Sequence, residues 1–145
     1  SGVSGAASPE YAETSAEVSC IVDWYGPTDF VKMNYYPSSQ DHNPADCPEG
    51  MELGGVSVLE NPDRSREASP MTYLSEDRPT PPTLIMHGGR DLLVPFNQSC
   101  RLYVTMRALG KDVTFYKLDN ASHAAYGFRG DQAIGLVITW LKERL

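Results

Sequence analysis

Two residues in the second half of the sequence, Asp91 and His123, have the chemical character of an acid and base pair. A carboxylate that accepts a hydrogen bond from one imidazole nitrogen fixes the tautomer of the ring and stabilises its protonated form, which leaves the other nitrogen free to act as a general base. This chemistry requires that the fold bring both side chains to one place. The elements around the two residues therefore decide whether it is available.

The pattern around the pair predicts a strand, a helix and a second strand. Residues 83–87 form a short apolar run between a proline cluster and a Gly-Gly pair, which is typical of a buried strand that ends in a turn, and Asp91 follows on that turn. Apolar residues recur at helical spacing over residues 95–109, and residues 113–118 alternate as a strand does before His123. Parallel strands joined by a right-handed crossover end at the same sheet edge, where open α/β sheets bind ligands. The acid and the base are therefore expected on one rim.

The flanking segments extend this sheet on both sides. A mostly apolar run over residues 18–25 predicts another strand, covered on both faces. Thr28 or Asp29 is expected to cap a short helix that ends at Met33. Residues 128–145 carry apolar residues at helical spacing and predict a closing helix that packs on the sheet. The fold class is therefore α/β, with about three parallel strands and flanking helices.

Residues 35–55 interrupt the predicted succession of strands and helices. They are rich in proline and glycine and have few periodic apolar positions, so they predict a long loop excursion from the sheet. A loop of this length that returns to the sheet edge can shape a substrate pocket, and Tyr35, Tyr36 and His42 are the candidates to line it. The alternative is an exposed loop with scattered aromatic residues. Residues 56–67 are expected to form a short helix, whose regular turn starts at Asn61-Pro62.

Several motifs, taken in order, resemble the α/β-hydrolases, specifically their esterase, lipase and prolyl-oligopeptidase-like members. The resemblance is carried by HGGRDLLVP at residues 87–95 and then by Gln98-Ser99, Leu102-Tyr103, Gly110-Lys111 and Ser122-His123. Upstream, DWYGPTDF at residues 23–30 and Ala68-Ser69-Pro70 are similar to small carbohydrate-type esterases related to feruloyl and acetyl-xylan esterases. The resemblance extends from about Val18 to the end of the chain.

This resemblance implies a Ser, Asp, His triad in that chain order, with Asp91 as the acid and His123 as the base. It also implies a nucleophilic serine on a Gly-x-Ser-x-Gly elbow that precedes the DWYGP strand, so we expect this serine upstream of the present sequence. Trp24 and Tyr25, within the DWYGP motif, are the candidate substrate-binding residues. Glycine is usual in the family directly after the histidine, and this sequence has Ala124 there.

The predicted organisation is a flexible N-terminal arm over residues 1–17, followed by the C-terminal portion of an α/β-hydrolase domain over residues 18–145. The resemblance implies a serine carboxylic-ester hydrolase, esterase or lipase-like, to which this chain contributes the Asp and the His. Two alternatives stay open. One is a non-catalytic hydrolase-like module, and the other is a fragment of a prolyl-oligopeptidase-type peptidase, which shares the Asp and His motifs but fits the DWYGP motif less well.

Other residues compete for the catalytic roles and fit them less well. Ser4 lies in a sequence that lacks both the last glycine of the elbow and a preceding strand. Asp23 and Asp29 lack the strand, turn and later histidine that accompany Asp91. His87 is expected to be a structural histidine at a strand end, because no serine elbow follows its Gly-Gly pair, as it would after a lipase oxyanion loop.

Composition and charge exclude several classes of function. The 145 residues are 41% hydrophobic and 21% charged, close to globular averages, so a folded core is expected. The net charge is −7 and the basic residues are scattered, which disfavours nucleic-acid binding. No apolar run approaches the roughly 20 residues of a membrane span, so no membrane association is expected.

The three cysteines show neither zinc-binding spacing nor a disulfide framework, so neither a metal nor another cofactor is expected. The expected partners are a small-molecule ester substrate and either a second copy of the chain or a missing N-terminal half. A sheet cut within a domain exposes a strand edge, which favours such an association. The compartment is left open.

Overall fold

The computed structural model describes residues 13–145, in which three parallel strands form one sheet with helices on its flanks. The elements in chain order are β1 (Ile21–Trp24), α1 (Phe30–Met33), α2 (Pro48–Glu52), α3 (Pro62–Ala68), β2 (Thr83–Gly88), α4 (Asn97–Ala108), β3 (Val113–Leu118) and α5 (Asp131–Lys142). Single 3-10 turns lie at Pro70–Tyr73 and Tyr126–Phe128. The order across the sheet is β1-β2-β3, and the predicted α/β class is confirmed.

The central strand β2 is buried along its whole length and pairs with both neighbours. Its apolar run is typical of a parallel strand that is covered on both faces. The side chains of β2 alternate between the two faces. Leu84 and Met86 join a core with Phe128 and Trp140, whereas Ile85 joins a second core with residues of α4. The helices α5 and α4 therefore cover opposite faces of the sheet.

The edge strand β1 is shorter and less covered than its apolar run predicted. Pairing begins at Ile21, whose N–H donates to the Pro82 carbonyl at 2.9 Å. Pro81 and Pro82 precede β2 and have no N–H group to donate, so the ladder stops there. Val22 is exposed, and the expectation of a strand covered on both faces is therefore wrong for β1.

The predicted excursion over residues 35–55 contains the short helix α2, which sequence periodicity did not indicate. The helix starts at Pro48, in the first-turn position that proline favours, and the Cys47 sulfur caps it by accepting from Gly50 N–H at 3.3 Å. A separate small core forms here from Phe30, Cys47, Leu53 and Val58. The excursion is therefore a packed structure with its own apolar centre.

The remaining helices begin close to their predicted positions. Asp29 caps α1 by accepting from Lys32 N–H at 3.2 Å, as expected. Only the second half of residues 56–67 is helical, because α3 starts at Pro62 directly after its N-cap residue. No helix within residues 13–145 has the length and apolar character needed to cross a bilayer.

The predicted N-terminal arm is only partly covered by the structure. Residues 13–17 are exposed and have no helix or strand. Ser4, the weaker candidate for a nucleophile, lies outside the described residues.

Candidate active site

The turn after β2 holds the carboxylate of Asp91 in a fixed orientation. One oxygen, Oδ1, accepts from the backbone N–H groups of Leu93 at 2.9 Å and Val94 at 3.0 Å. The side chain is fully buried, and a buried carboxylate must be hydrogen-bonded to be stable as an anion. The other oxygen, Oδ2, is left free to meet groups from other parts of the fold.

That second oxygen accepts from Nδ1 of His123 at 2.8 Å. The structure thus brings together the two residues that the crossover argument placed on one rim. Because Nδ1 faces the carboxylate, the neutral ring carries its hydrogen there and Nε2 has a free lone pair. The His123 side chain is 28% exposed, and none of the described residues forms a hydrogen bond with its Nε2. The geometry is that of a general base oriented by an acid.

The loops that carry the two residues are tied to each other by backbone contacts. Arg90 N–H donates to the Ala121 carbonyl at 3.0 Å, and Gly89 N–H donates to the Leu118 carbonyl at 2.8 Å. A Cβ atom on Gly88 would lie only 2.4 Å from the Ala121 oxygen. The Gly-Gly pair after His87 therefore allows the end of β2 to approach the loop that delivers His123.

Several hydrogen bonds set the charge state of Asp91. Burial by itself raises the pKa of this carboxyl group, but hydrogen bonds from His87, from His123 and from the backbone of Val94 and Leu93 outweigh burial. The pKa of Asp91 is therefore lowered from its ordinary value. Asp91 stays ionised at neutral pH and is able to stabilise an imidazolium beside it.

His87 is a partner of Asp91 that sequence reasoning missed. The ring is fully buried, and its Nε2 lies 3.2 Å from Asp91 Oδ2 and 3.1 Å from the Val94 carbonyl. Two acceptors on Nε2 require the hydrogen on that nitrogen, so Nδ1 accepts from the Ser99 hydroxyl at 2.7 Å. His87 is structural, as expected, but it also holds the acid. An aspartate four residues after a buried strand-end histidine is the signal that could have indicated this.

The predicted substrate-binding residues Trp24 and Tyr25 lie beside His123. The Tyr25 ring packs edge-on against the His123 ring with centroids 4.6 Å apart, and its backbone has a φ of 49°. Few residues other than glycine adopt this left-handed region, so the backbone is strained at Tyr25. Trp24 packs against Phe128 at 5.9 Å between centroids. The end of β1 thus forms an aromatic wall next to the imidazole.

A cavity of about 350 Å³ opens in front of this wall. Its lining includes His123, Trp24 and Tyr25, together with His42, Glu49 and Leu93 from other segments. Of the residues predicted to line a pocket from the excursion, only His42 does so here. Tyr35 is 60% exposed and contributes nothing to this cavity, and Tyr36 lines a separate open cleft.

The two other candidate acids, Asp23 and Asp29, make different contacts. Asp23 accepts from Gly26 N–H at 3.0 Å, and its Oδ2 is buried without a hydrogen-bond partner among the described residues. Burial raises the pKa of Asp23, which the Gly26 hydrogen bond offsets only in part. Asp29 caps α1 and pairs with Arg101 at 2.8 Å. Within the part of the chain that the structure describes, no three His, Cys, Asp or Glu side chains are grouped so as to hold a metal ion.

Comparison with known proteins places this geometry in context. The model of the BD-FAE family matches residues 3–106, more than half of the chain. A solved structure titled as a truncated form of a carbohydrate esterase from gut microbiota is 29% identical, with a TM-score of 0.81 over 92% of this chain and 45% of that one. The bifunctional GH43-CE protein of Bacteroides eggerthii is 25% identical, with a TM-score of 0.73 over 92% of this chain and 18% of that one.

A curated relative carries the name of a peptidase. The uncharacterized peptidase YuxL of Bacillus subtilis (strain 168) is 30% identical over 66 residues, which are 46% of this chain and 10% of that protein. The present chain thus spans less than half the length of each of these three proteins.

Proposed function

Since the chain belongs to the BD-FAE family of esterases and has the α/β-hydrolase fold, we propose that it contributes the Asp and the His of a Ser-Asp-His triad to a carboxylic-ester hydrolase. The observation that carries the proposal is the 2.8 Å hydrogen bond between Asp91 Oδ2 and His123 Nδ1, at the mouth of a cavity. The other ring nitrogen of His123, Nε2, is then free to accept a hydrogen bond from a serine hydroxyl.

In the proposed reaction, His123 Nε2 takes the proton of the serine hydroxyl as the serine oxygen attacks the ester carbonyl. The imidazolium that results is stabilised by the ionised Asp91. His123 then gives the proton to the departing alcohol as the carbon–oxygen bond breaks, leaving an acyl-enzyme. Water, deprotonated by the same nitrogen, releases the acid and regenerates the serine.

We propose that the nucleophilic serine lies in a part of the protein that precedes Ser1. The order Ser, Asp, His is the one stated for α/β-hydrolases, and Asp91 and His123 already occupy the last two places. No serine within residues 13–145 forms a hydrogen bond with His123 Nε2. The backbone amides that would hold the oxyanion of the tetrahedral intermediate are assigned to the same preceding chain.

The proposed substrate is a small carbohydrate ester. The similarity to a carbohydrate esterase at 29% identity supports this class. Trp24 and Tyr25 are proposed to contact the bound ester, since both line the cavity beside His123. Apolar and aromatic walls with few polar groups are typical of small-molecule pockets.

The test compares two proteins, the 145-residue chain and a form extended by the coding sequence that precedes Ser1. Each is assayed for hydrolysis of p-nitrophenyl acetate and treated with a fluorophosphonate that labels activated serines. We expect turnover and a labelled serine upstream of Ser1 in the extended form alone, with turnover lost in His123→Ala. A label within residues 1–145, or turnover that survives His123→Ala, would overturn the proposal. Inactivity of both forms would favour a non-catalytic hydrolase-like module.

A second candidate function, amide hydrolysis, is favoured by the similarity to YuxL. A peptidase uses the same acid and base, so the triad does not separate the two reactions. An N-acetyl amino acid p-nitroanilide, assayed beside p-nitrophenyl acetate on the extended form, does so. Faster turnover of the anilide would replace the esterase proposal by the peptidase one.

We also propose that the outer edge of β1 pairs with another chain segment, either from preceding chain or from a second copy. No described strand covers this edge, and Val22 on it is exposed. Exposed strand edges are templates for further pairing. Light scattering coupled to size-exclusion chromatography tests the proposal. A dimer of the 145-residue chain that reverts to monomer in the extended form supports pairing, whereas two monomeric forms with equal exchange of the β1 amides would contradict it.

A further inference from the structure

The excursion over residues 35–55 forms hydrogen bonds with the segment that directly follows Asp91. Ser39 N–H donates to the Leu92 carbonyl at 2.6 Å, and the Ser38 hydroxyl lies 3.0 Å from the carbonyls of both Leu92 and Leu93. His42 Nε2 lies 2.9 Å from the Leu93 carbonyl. These contacts span more than 50 residues of sequence. These hydrogen bonds thus fix the excursion to the carbonyl groups of Leu92 and Leu93, which directly follow Asp91.

Asp91 binds the same segment through the segment's own backbone N–H groups. Its Oδ1 accepts from Leu93 and Val94, so the peptide groups of this short segment are bound on one side by the carboxylate and on the other by the excursion. A carboxylate that is positioned through backbone amides moves if those amides move. The excursion and Asp91 therefore bind the same short segment from opposite sides of its peptide groups.

The contact from His42 is itself held by a buried partner. His42 is 1% exposed and Glu49 is 5% exposed, and His42 Nδ1 lies 2.9 Å from Glu49 Oε2. A buried carboxylate is costly unless it is paired and hydrogen-bonded, so this pair is not an incidental surface contact. Glu49 lies on α2, which orients the His42 ring toward Leu93.

We propose that His42, oriented by Glu49 and joined by Ser38, is a positioning residue for the carboxylate of Asp91. His42, Glu49 and Leu93 also line the cavity. A movement of this part of the cavity lining would then move Asp91, the acid that orients His123. The inference rests on the proposed role of Asp91, but its test needs no hydrolysis. Amide exchange reports local opening directly.

The test is hydrogen exchange of the Leu93 and Val94 amides in the 145-residue chain, measured by NMR in His42→Leu and His42→Gln. We expect exchange of both amides to be faster by about tenfold in His42→Leu, the change that loss of a buried hydrogen bond produces. In His42→Gln the side-chain amide can still donate to the Leu93 carbonyl, so exchange there should lie closer to that of the parent chain. The Nδ1 hydrogen of His123 should exchange faster in step with the two amides.

A matched control separates this role from a general loss of stability. Ser57→Ala removes a hydrogen bond at 3.0 Å to Asn43 of the excursion, and Ser57 forms no hydrogen bond with Leu92 or Leu93. Exchange at Leu93 and Val94 should not change in this variant, and the Ile85 amide in the core of the sheet serves as the internal reference. If His42→Leu leaves Leu93 and Val94 exchange unchanged relative to Ile85, the proposal fails.

Glu49→Leu keeps the test decisive if His42→Leu does not fold. This change puts an apolar side chain in the same buried place and removes the hydrogen-bond partner that orients His42 through Nδ1. The proposal requires faster exchange at Leu93 and Val94 relative to Ile85, and unchanged exchange would overturn it. In an active extended form, the same variants should lower kcat by a larger factor than they raise KM, because a misplaced acid weakens proton transfer more than ground-state binding.

Discussion

The Nε2 atom of His87 lies 3.2 Å from Asp91 Oδ2, the same oxygen that accepts the hydrogen bond from His123. One carboxylate oxygen thus serves a fully buried imidazole and a partly exposed one. The buried ring is also held at its other nitrogen, which accepts a hydrogen bond from Ser99 at 2.7 Å. His87 therefore fixes the position from which Asp91 orients His123.

Replacing His87 by leucine should destabilise the protein in a pH-dependent way. The change removes a hydrogen bond to an ionised group, which costs about 2 kcal/mol when Asp91 is charged. The cost should begin to fall as the pH drops below the unfolded-state pKa of about 4 and Asp91 starts to take up a proton. Urea unfolding at pH 7 and pH 3 measures it. Ser99→Ala is the control, since it leaves the bond to Asp91 in place, and its cost of about 1 kcal/mol should be similar at both pH values.

Asp91 itself should make the protein less stable in acid. Its pKa is lowered in the folded state, so the folded state binds a proton less readily than the unfolded chain does. The stability that results is fully present above the unfolded-state pKa of about 4 and is lost as the pH falls through the folded-state pKa. Asp91→Asn should be less stable than the parent at pH 7, and the difference should shrink below about pH 4. A constant difference across that range would contradict the lowered pKa.

The sequence predicted the placement of Asp91 and His123 at one sheet edge well, because its signals around them are local. The proline cluster and the Gly-Gly pair bound β2, and the alternating residues of β3 match its observed limits, Val113–Leu118. The handedness of the crossover then brings Asp91 near His123 without any knowledge of side-chain contacts. Part of the resemblance to esterases lies in the same stretch, and the rest lies in residues 23–30 and 68–70.

Other features depend on contacts between distant segments, which periodicity does not encode. The hydrogen bonds of His42 to Leu93 and of His87 to Asp91 arise only when the loops are in place. The helix α2 has five residues, too few for a periodic signal. Pairing stops at Ile21 because prolines directly precede the neighbouring strand β2, not because of any residue in β1.

Asp23→Asn should stabilise the isolated chain at neutral pH. Burial raises the pKa of Asp23 in the folded state, so its ionised form costs stability at pH values above that pKa, and the cost disappears in acid. Asparagine keeps an oxygen for the Gly26 N–H and carries no charge. We expect a gain of about 1 kcal/mol at pH 7 that vanishes near pH 3. Asp119→Asn, at an exposed position beside Lys117, should give no gain in the same denaturation series.

Ala124→Gly should stabilise the loop that carries His123. Ala124 has a φ of 51°, in the left-handed region where a Cβ atom clashes with the backbone. Glycine removes that clash but adds entropy to the unfolded chain, so the net gain should be about 0.5 to 1 kcal/mol. The neighbouring Ala125 has a φ of −59°, and Ala125→Gly should instead lose about 0.5 to 1 kcal/mol. Urea midpoints of the two variants, measured together, should therefore move in opposite directions. Equal destabilisation by both changes would mean that Ala124 is not strained.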